Sequence, residues 1–173
     1  SAASDVYKRQ LMRLLSLTNN AFSNFVTGQV TEAFILGTLC CIGMLILRLP
    51  YALPVSVIIA SLSLIPIFGA WIGAATGAFL IVFQSPIKAL TFLIFLLILQ
   101  QVEGNLIYPK VVGKSVGLPG LWVLAAVTIG GGAFGVLGML LGVPVCSVVY
   151  VLVQDYIRSG KPARTDGVPP TQS

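Results

Sequence analysis

From Val26 to Leu47 the chain runs for 22 residues with a single charged side chain, Glu32. As a helix this stretch reaches about 33 Å, enough to cross a hydrocarbon core of about 30 Å. Such a run constrains everything around it, because a backbone inside lipid satisfies its N–H and C=O groups only as a helix or a closed barrel. The rest of the chain meets the same condition: 57% of residues are hydrophobic, 9% are charged and the mean hydropathy is +0.98, whereas soluble domains carry about 25% charged residues. These values imply an all-α integral membrane protein, a polytopic helical bundle with the lipid bilayer as its solvent.

Charge and residue usage also narrow the chemistry. Ten Lys and Arg against five Asp and Glu give a net charge of +5, but the cations sit between apolar runs, where they act as topology signals, so no nucleic-acid partner is expected. The sequence contains no His. Cys40, Cys41 and Cys146 lie inside apolar runs without metal-ligand or disulfide spacing, so no metal and no other cofactor is expected. No GxxxxGK[ST] phosphate loop occurs, and with no His to serve as the base of a Ser-His-Asp triad the chain is not expected to be an enzyme.

Along the chain, residues 1–10 (SAASDVYKRQ) are polar, lack a signal-peptide core and are expected to be a non-native leader. Residues 11–24 place Leu11, Leu14, Leu15 and Phe22 near helical spacing, as in an interfacial amphipathic helix. Residues 25–157 are expected to form the transmembrane domain. Residues 158–173, rich in Pro, Gly and small polar residues, are expected to be a disordered tail.

Within the domain, two long spans, 26–47 and 87–108, the latter stopped by Pro109, alternate with two broken pairs. In the first pair, the runs 51–65 and 70–83 flank Pro66, Phe68 and Gly69, and fifteen residues reach only about 22 Å. In the second, residues 118–129 meet Gly130, Gly131, Gly132 and Gly135, with Pro144 in the run that follows. Each pair fits either two thin spans or one re-entrant hairpin. Both alternatives return the chain to the side it left, so Arg13, Lys110, Lys114, Arg158, Lys161 and Arg164 share one side against Arg48 and Lys88. The positive-inside rule then places the six, and the C-terminus, in the cytoplasm.

An acid within hydrocarbon must face a cavity, find a partner or hold a proton. Glu103 has Gln100 three residues before it, and Gln101 pairs with Asn105 at i+4, so four polar side chains cover about 200° of one helix end. Glu32 lies about 9 Å into its span with Gln29 one turn earlier. These six residues are the candidate solute path, the alternative being an interfacial helix end and a packing acid. The two breaks are expected to be non-helical and close to one another, as at a midplane binding site. The competing account of their glycines is close helix packing, since Gly69, Gly73 and Gly77 repeat every four residues, as do Gly131 with Gly135 and Gly138 with Gly142; that spacing also suggests a homo-oligomer. Lys110, after Pro109, faces headgroups or an anionic substrate, and Asp155 with Arg158 forms a structural i+3 pair.

Three segments in order, FVTGQVTEAFILG, PYALPVSVIIASLSLIPIFGAWIG and QQVEGNLIYPKVVGKSVGLPGLWVLAAVTIGGGAFGVLGMLLGVPV, resemble the autoinducer-2 exporter family of PerM-like permeases over Phe25 to Tyr156. The resemblance implies the C-terminal half of a bacterial inner-membrane permease. Its substrate would be a small molecule or ion: a furanone-type signal of quorum sensing, another small polar solute, or an ion-coupled substrate. The alternative function is a non-transporting membrane scaffold that assembles through its glycine motifs.

Overall fold

A computed structural model describes residues 1–113 and 118–160. Lys114, Lys161, Arg164 and the expected tail beyond Gly160 lie outside the described residues. The fold is all helical among the described residues, and three helical stretches are long and apolar enough to cross a membrane.

Helix α1 (Ala2–Ile46) is continuous over 45 residues, with a capping box between Ser1 and Ser4 at its start. An interfacial helix followed by a separate span was expected, but residues 2–27 contain neither Gly nor Pro, so nothing breaks the i→i−4 ladder between them. Its buried stripe is Phe25, Gly28, Gln29, Glu32, Ala33, Leu36, Cys40 and Met44, the 3–4 spacing of one helix face. Left-handed Arg48 and Tyr51, with Pro50 between them, turn the chain into α2 (Ala52–Ser63), which is followed by α3 (Phe68–Val82).

Helices α2 and α3 form an antiparallel hairpin whose arms span about 18 and 22 Å, short of a hydrocarbon core. Glycines on α3 close it. A Cβ at Gly69 would collide with the Leu62 carbonyl, and one at Gly73 would lie 3.2 Å from Ile59. At Gly77 the obstruction is the Phe92 ring, with Val55 at 3.2 Å. The tip turns at Ile67, which has φ 68° and ψ −55°, and the Phe68 amide donates to the Pro66 carbonyl at 2.7 Å. This is a γ-turn in its rare, strained hand, on a β-branched residue that normally avoids positive φ.

Helix α4 (Pro86–Val102) starts with Pro86 in its first turn behind the N-cap Ser85 and leads into two π-helical segments, Glu103–Ile107 and Pro109–Gly113. The helix was expected to end at Pro109. It continues because the wider winding moves away the i−4 carbonyl that a proline ring strikes in an α-helix.

Helix α5 (Gly120–Ser159) is folded in half at Gly135, whose φ of 67° and ψ of −142° suit only glycine. Its arms pack antiparallel: Gly130 and Gly138 abut so closely that a Cβ on either strikes the other's carbonyl, and a Cβ at Gly142 would lie 2.7 Å from the Ala126 carbonyl. The rings of Trp122 and Tyr150 meet at 6.1 Å further along. Both broken pairs are therefore helical hairpins.

The breaks are narrower than expected. Phe68 and Gly69 begin α3, Gly130, Gly131 and Gly132 are helical, and Pro144 lies buried inside a continuous arm. The small residues serve the approach of two backbones, and only one residue at each tip takes a positive φ. Gly131 faces the Met139 side chain, whereas Gly132 and Gly135 meet nothing within 4 Å. Asp155 pairs with Arg13 rather than with Arg158, joining the start of α1 to the end of α5.

The buried apolar residues form two clusters. One holds Leu36, Cys40 and Met44 of α1 against Val55, Ile59, Ile81, Phe92, Leu96 and Leu99. The other holds Phe25 against Val112, Leu118, Ala126, Val127 and Val143. Closure of the second hairpin predicts that Gly130→Ala and Gly138→Ala destabilise the full-length protein by about 1–3 kcal/mol through overpacking. Gly132→Ala should be neutral or stabilising by up to about 1 kcal/mol, from helix propensity alone. Thermal unfolding in detergent measures the contrast, and equal behaviour of the three variants would contradict the close approach.

Candidate functional site

Between the two apolar clusters, each long helix carries a polar interval. On α1 the buried stripe passes from Phe25 through Gly28, Gln29 and Glu32 to Leu36. On the other helix, Gln100, Glu103 and Tyr108 fall between Leu99 of one cluster and Val112 of the other. The two intervals lie at one level: Glu32 is about 21 Å along α1 from its end at Ile46, and Glu103 is about 26 Å from the start of α4. Both acids therefore lie inside a core of about 30 Å measured from the end that carries Arg48 and Lys88.

Their carboxyl groups face each other, with the Ser63 hydroxyl at the end of α2 beside Glu32. That hydroxyl also lies 2.8 Å from the Ala60 carbonyl, and its one proton serves either acceptor. Glu32 is 2% exposed. Around the pair is a cavity of about 360 Å³. Its polar lining comes from Glu32, Ser63, Gln100, Glu103 and Tyr108, and Pro66, Ile67 and Trp71 line it from the tip of the first hairpin.

The π winding helps to build this wall. Residues five apart on an α-helix are turned by about 140°, whereas i→i+5 bonding, here the Tyr108 amide donating to the Glu103 carbonyl, brings them toward one face. Glu103 and Tyr108 thus both reach the cavity. Single π turns inside α-helices are frequent at functional sites.

Of the six residues expected on the path, Glu32, Glu103 and Gln100 line this cavity. The Gln100 side-chain nitrogen is buried without a hydrogen-bond partner. Gln29, 3% exposed, continues the same stripe of α1, and neither its amide nitrogen nor its oxygen is hydrogen-bonded. Gln101 and Asn105 lie elsewhere: both are exposed, and the Asn105 amide donates to the Gln101 carbonyl at 2.8 Å and to its side-chain oxygen at 3.3 Å. Lys110 and Pro109 are also exposed.

The two hairpin tips do not converge on the cavity. The tip of the first lines it, but α5 contributes Gly120, Val123 and Leu124 from its first turns, and not Gly135. Ser63 and Tyr108 escaped the sequence reading. The only signals were a hydroxyl three residues before Pro66 and a Tyr five residues after Glu103, a spacing that joins one face only if the helix is wound wider than α.

A family model described as AI-2E family transporter matches residues 1–158. The chain belongs to the AI-2E transporter family. It is 35% identical over 153 residues to the "Putative transport protein YueF" of Bacillus subtilis, covering 88% of this chain and 41% of that protein. Identity to the "Putative transport protein YrrI" of the same organism is 33% over 141 residues, or 81% of this chain and 40% of the relative. The "Putative permease PerM" of Escherichia coli K12 is 27% identical over 137 residues, or 78% and 39%. The chain thus spans about two fifths of the length of these curated relatives. No solved structure matches it. As an AI-2E family member with membrane-spanning helices it is a membrane protein.

Contact between the acids predicts energetic coupling. In a double-mutant cycle of Glu32→Gln and Glu103→Gln in the full-length protein, thermal unfolding should be non-additive by about 0.5–3 kcal/mol, whereas Glu103→Gln and the remote Asp155→Asn should add. An additive Glu32–Glu103 cycle would separate the two carboxyl groups.

Proposed function

We propose that the chain forms the solute-conducting part of a secondary transporter in the bacterial inner membrane, moving a small polar solute and exchanging a proton at the Glu32–Glu103 pair. One observation carries this reading: two spans hold two carboxyl groups face to face beside a cavity at membrane depth. Bringing two acids together in a low-dielectric site is costly unless a proton or cation is shared between them. A packing role is served more cheaply by an amide or an apolar residue.

The cavity's position beside a hairpin tip supports the reading, because broken helices in transporters line cavities where their backbone groups find partners. Membership in a transporter family and the names of the relatives support it further. An autoinducer-like signal and an ion-coupled solute are both small enough for a site of about 360 Å³. The glycines that suggested a scaffold assembling through small-residue faces instead close the chain's own hairpins, which takes that support from the scaffold alternative and from the expectation of a homo-oligomer.

Reconstituted full-length protein tests the proposal. Glu103→Gln keeps size and hydrogen-bonding capacity while removing titration, so proton-coupled flux should fall at least about a hundredfold, the lower end of what a positioned proton-transfer group contributes. The residual flux should lose its pH dependence, and wild-type flux with an unchanged pH profile would end the proton-exchange proposal.

For orientation, we infer that the end joined by Arg13 and Asp155 is cytoplasmic, as the distribution of Lys and Arg indicates. A cysteine introduced at Ser159 in a variant without native cysteines should stay unlabelled by a membrane-impermeant thiol reagent in intact cells. Labelling there would reverse the topology.

A further inference from the structure

Gln101 and Asn105 pose a problem that the acid pair does not solve. They flank Glu103 in sequence but sit on the exposed side of the helix, about 22 and 28 Å from the start of α4 and so within the depth of the hydrocarbon core. Asn105 uses its amide nitrogen on Gln101. The Gln101 side-chain nitrogen, two donors, and the Asn105 side-chain oxygen, an acceptor, make no hydrogen bond to any described residue. Lipid offers these groups nothing, and an unsatisfied amide in hydrocarbon costs several kcal/mol.

Gly104, between them in sequence, lines the cavity instead. Above this polar patch the same face continues as exposed Leu90, Ile94, Leu97 and Ile98, a stripe at helical spacing that ends in two amides. Apolar length and polar end together match a helix–helix interface within a membrane, where amides bond across to a neighbour.

We propose that this face of α4 and its π segment receives a transmembrane helix from the part of the polypeptide outside these 173 residues, and that this helix presents a hydrogen-bonding side chain to Gln101 and Asn105. The occupant follows from chain length: the sequence covers only 39–41% of the relatives it matches, so about three fifths of such a protein remains to be packed. The docked helix lies one residue away from Glu103, across the π segment from the cavity, and shields that segment from lipid. This packing is independent of what the protein carries.

A photo-crosslinking amino acid placed at Gln101, and separately at Asn105, in the full-length protein in native membranes tests it. Mass spectrometry of the monomer band should find adducts to a helix outside the sequence described here. With the crosslinker at Asn105, Gln101→Leu removes one of the two bonding amides and should lower the yield of that adduct at least about fivefold while the chain still inserts into the membrane. Adducts joining two copies of the protein, adducts to lipid alone, or no adduct at either position would each overturn the proposal.

Discussion

A carboxyl group inside hydrocarbon has to be supplied with a partner, and in this fold each acid has the other as a partner. That pairing organises the centre of the molecule. The apolar cluster around Phe92 and the apolar cluster around Val127 stop short of each other, and the gap is where α1 and the α4–π helix turn polar residues inward. The π segment starts at Glu103 itself, so the acid stands at the change of winding. The change costs hydrogen-bond geometry and gains a shared face for Glu103 and Tyr108.

The second constraint is the approach of backbones. Hairpin arms in a bilayer cannot draw stability from hydrophobic burial against water, because lipid is as apolar as their own side chains. They hold together by packing: at Gly69, Gly130, Gly138 and Gly142 a Cβ would strike a carbonyl of the facing arm, while Gly73 and Gly77 admit the Ile59 side chain and the Phe92 ring. One residue at each tip absorbs the reversal, Ile67 at positive φ in the first and Gly135 in the second. The strained Ile67 stands at the cavity wall whereas Gly135 does not. The two hairpins are built alike but only the first presents its tip to the acids.

Much of this was legible in the sequence. Uninterrupted apolar length gave the spans, and the charge distribution gave the grouping of Arg13 with the C-terminal end that the Arg13–Asp155 ion pair brings together. The cost of an intramembrane acid singled out Glu32 and Glu103. The breaks were placed too broadly, because a glycine that lets backbones meet and a glycine that turns the chain look identical in a sequence. Gln101 and Asn105 were grouped with Glu103 because a helix end was taken as one polar surface; in the fold, that end has an inner and an outer side.

What the sequence determined by itself was the solvent, the helical class and the identity of the residues that lipid would not tolerate, since these follow from transfer free energies that each residue carries wherever it is placed. What only the tertiary structure decided was which of those residues meet. Glu32 and Glu103 are 71 residues apart, and their contact depends on the rotation of two helices about their axes, on the depth to which α2 brings Ser63, and on a winding of the backbone that shifts every later side chain. Those are properties of packing, set by how volumes fit together, and no single position in the chain encodes them.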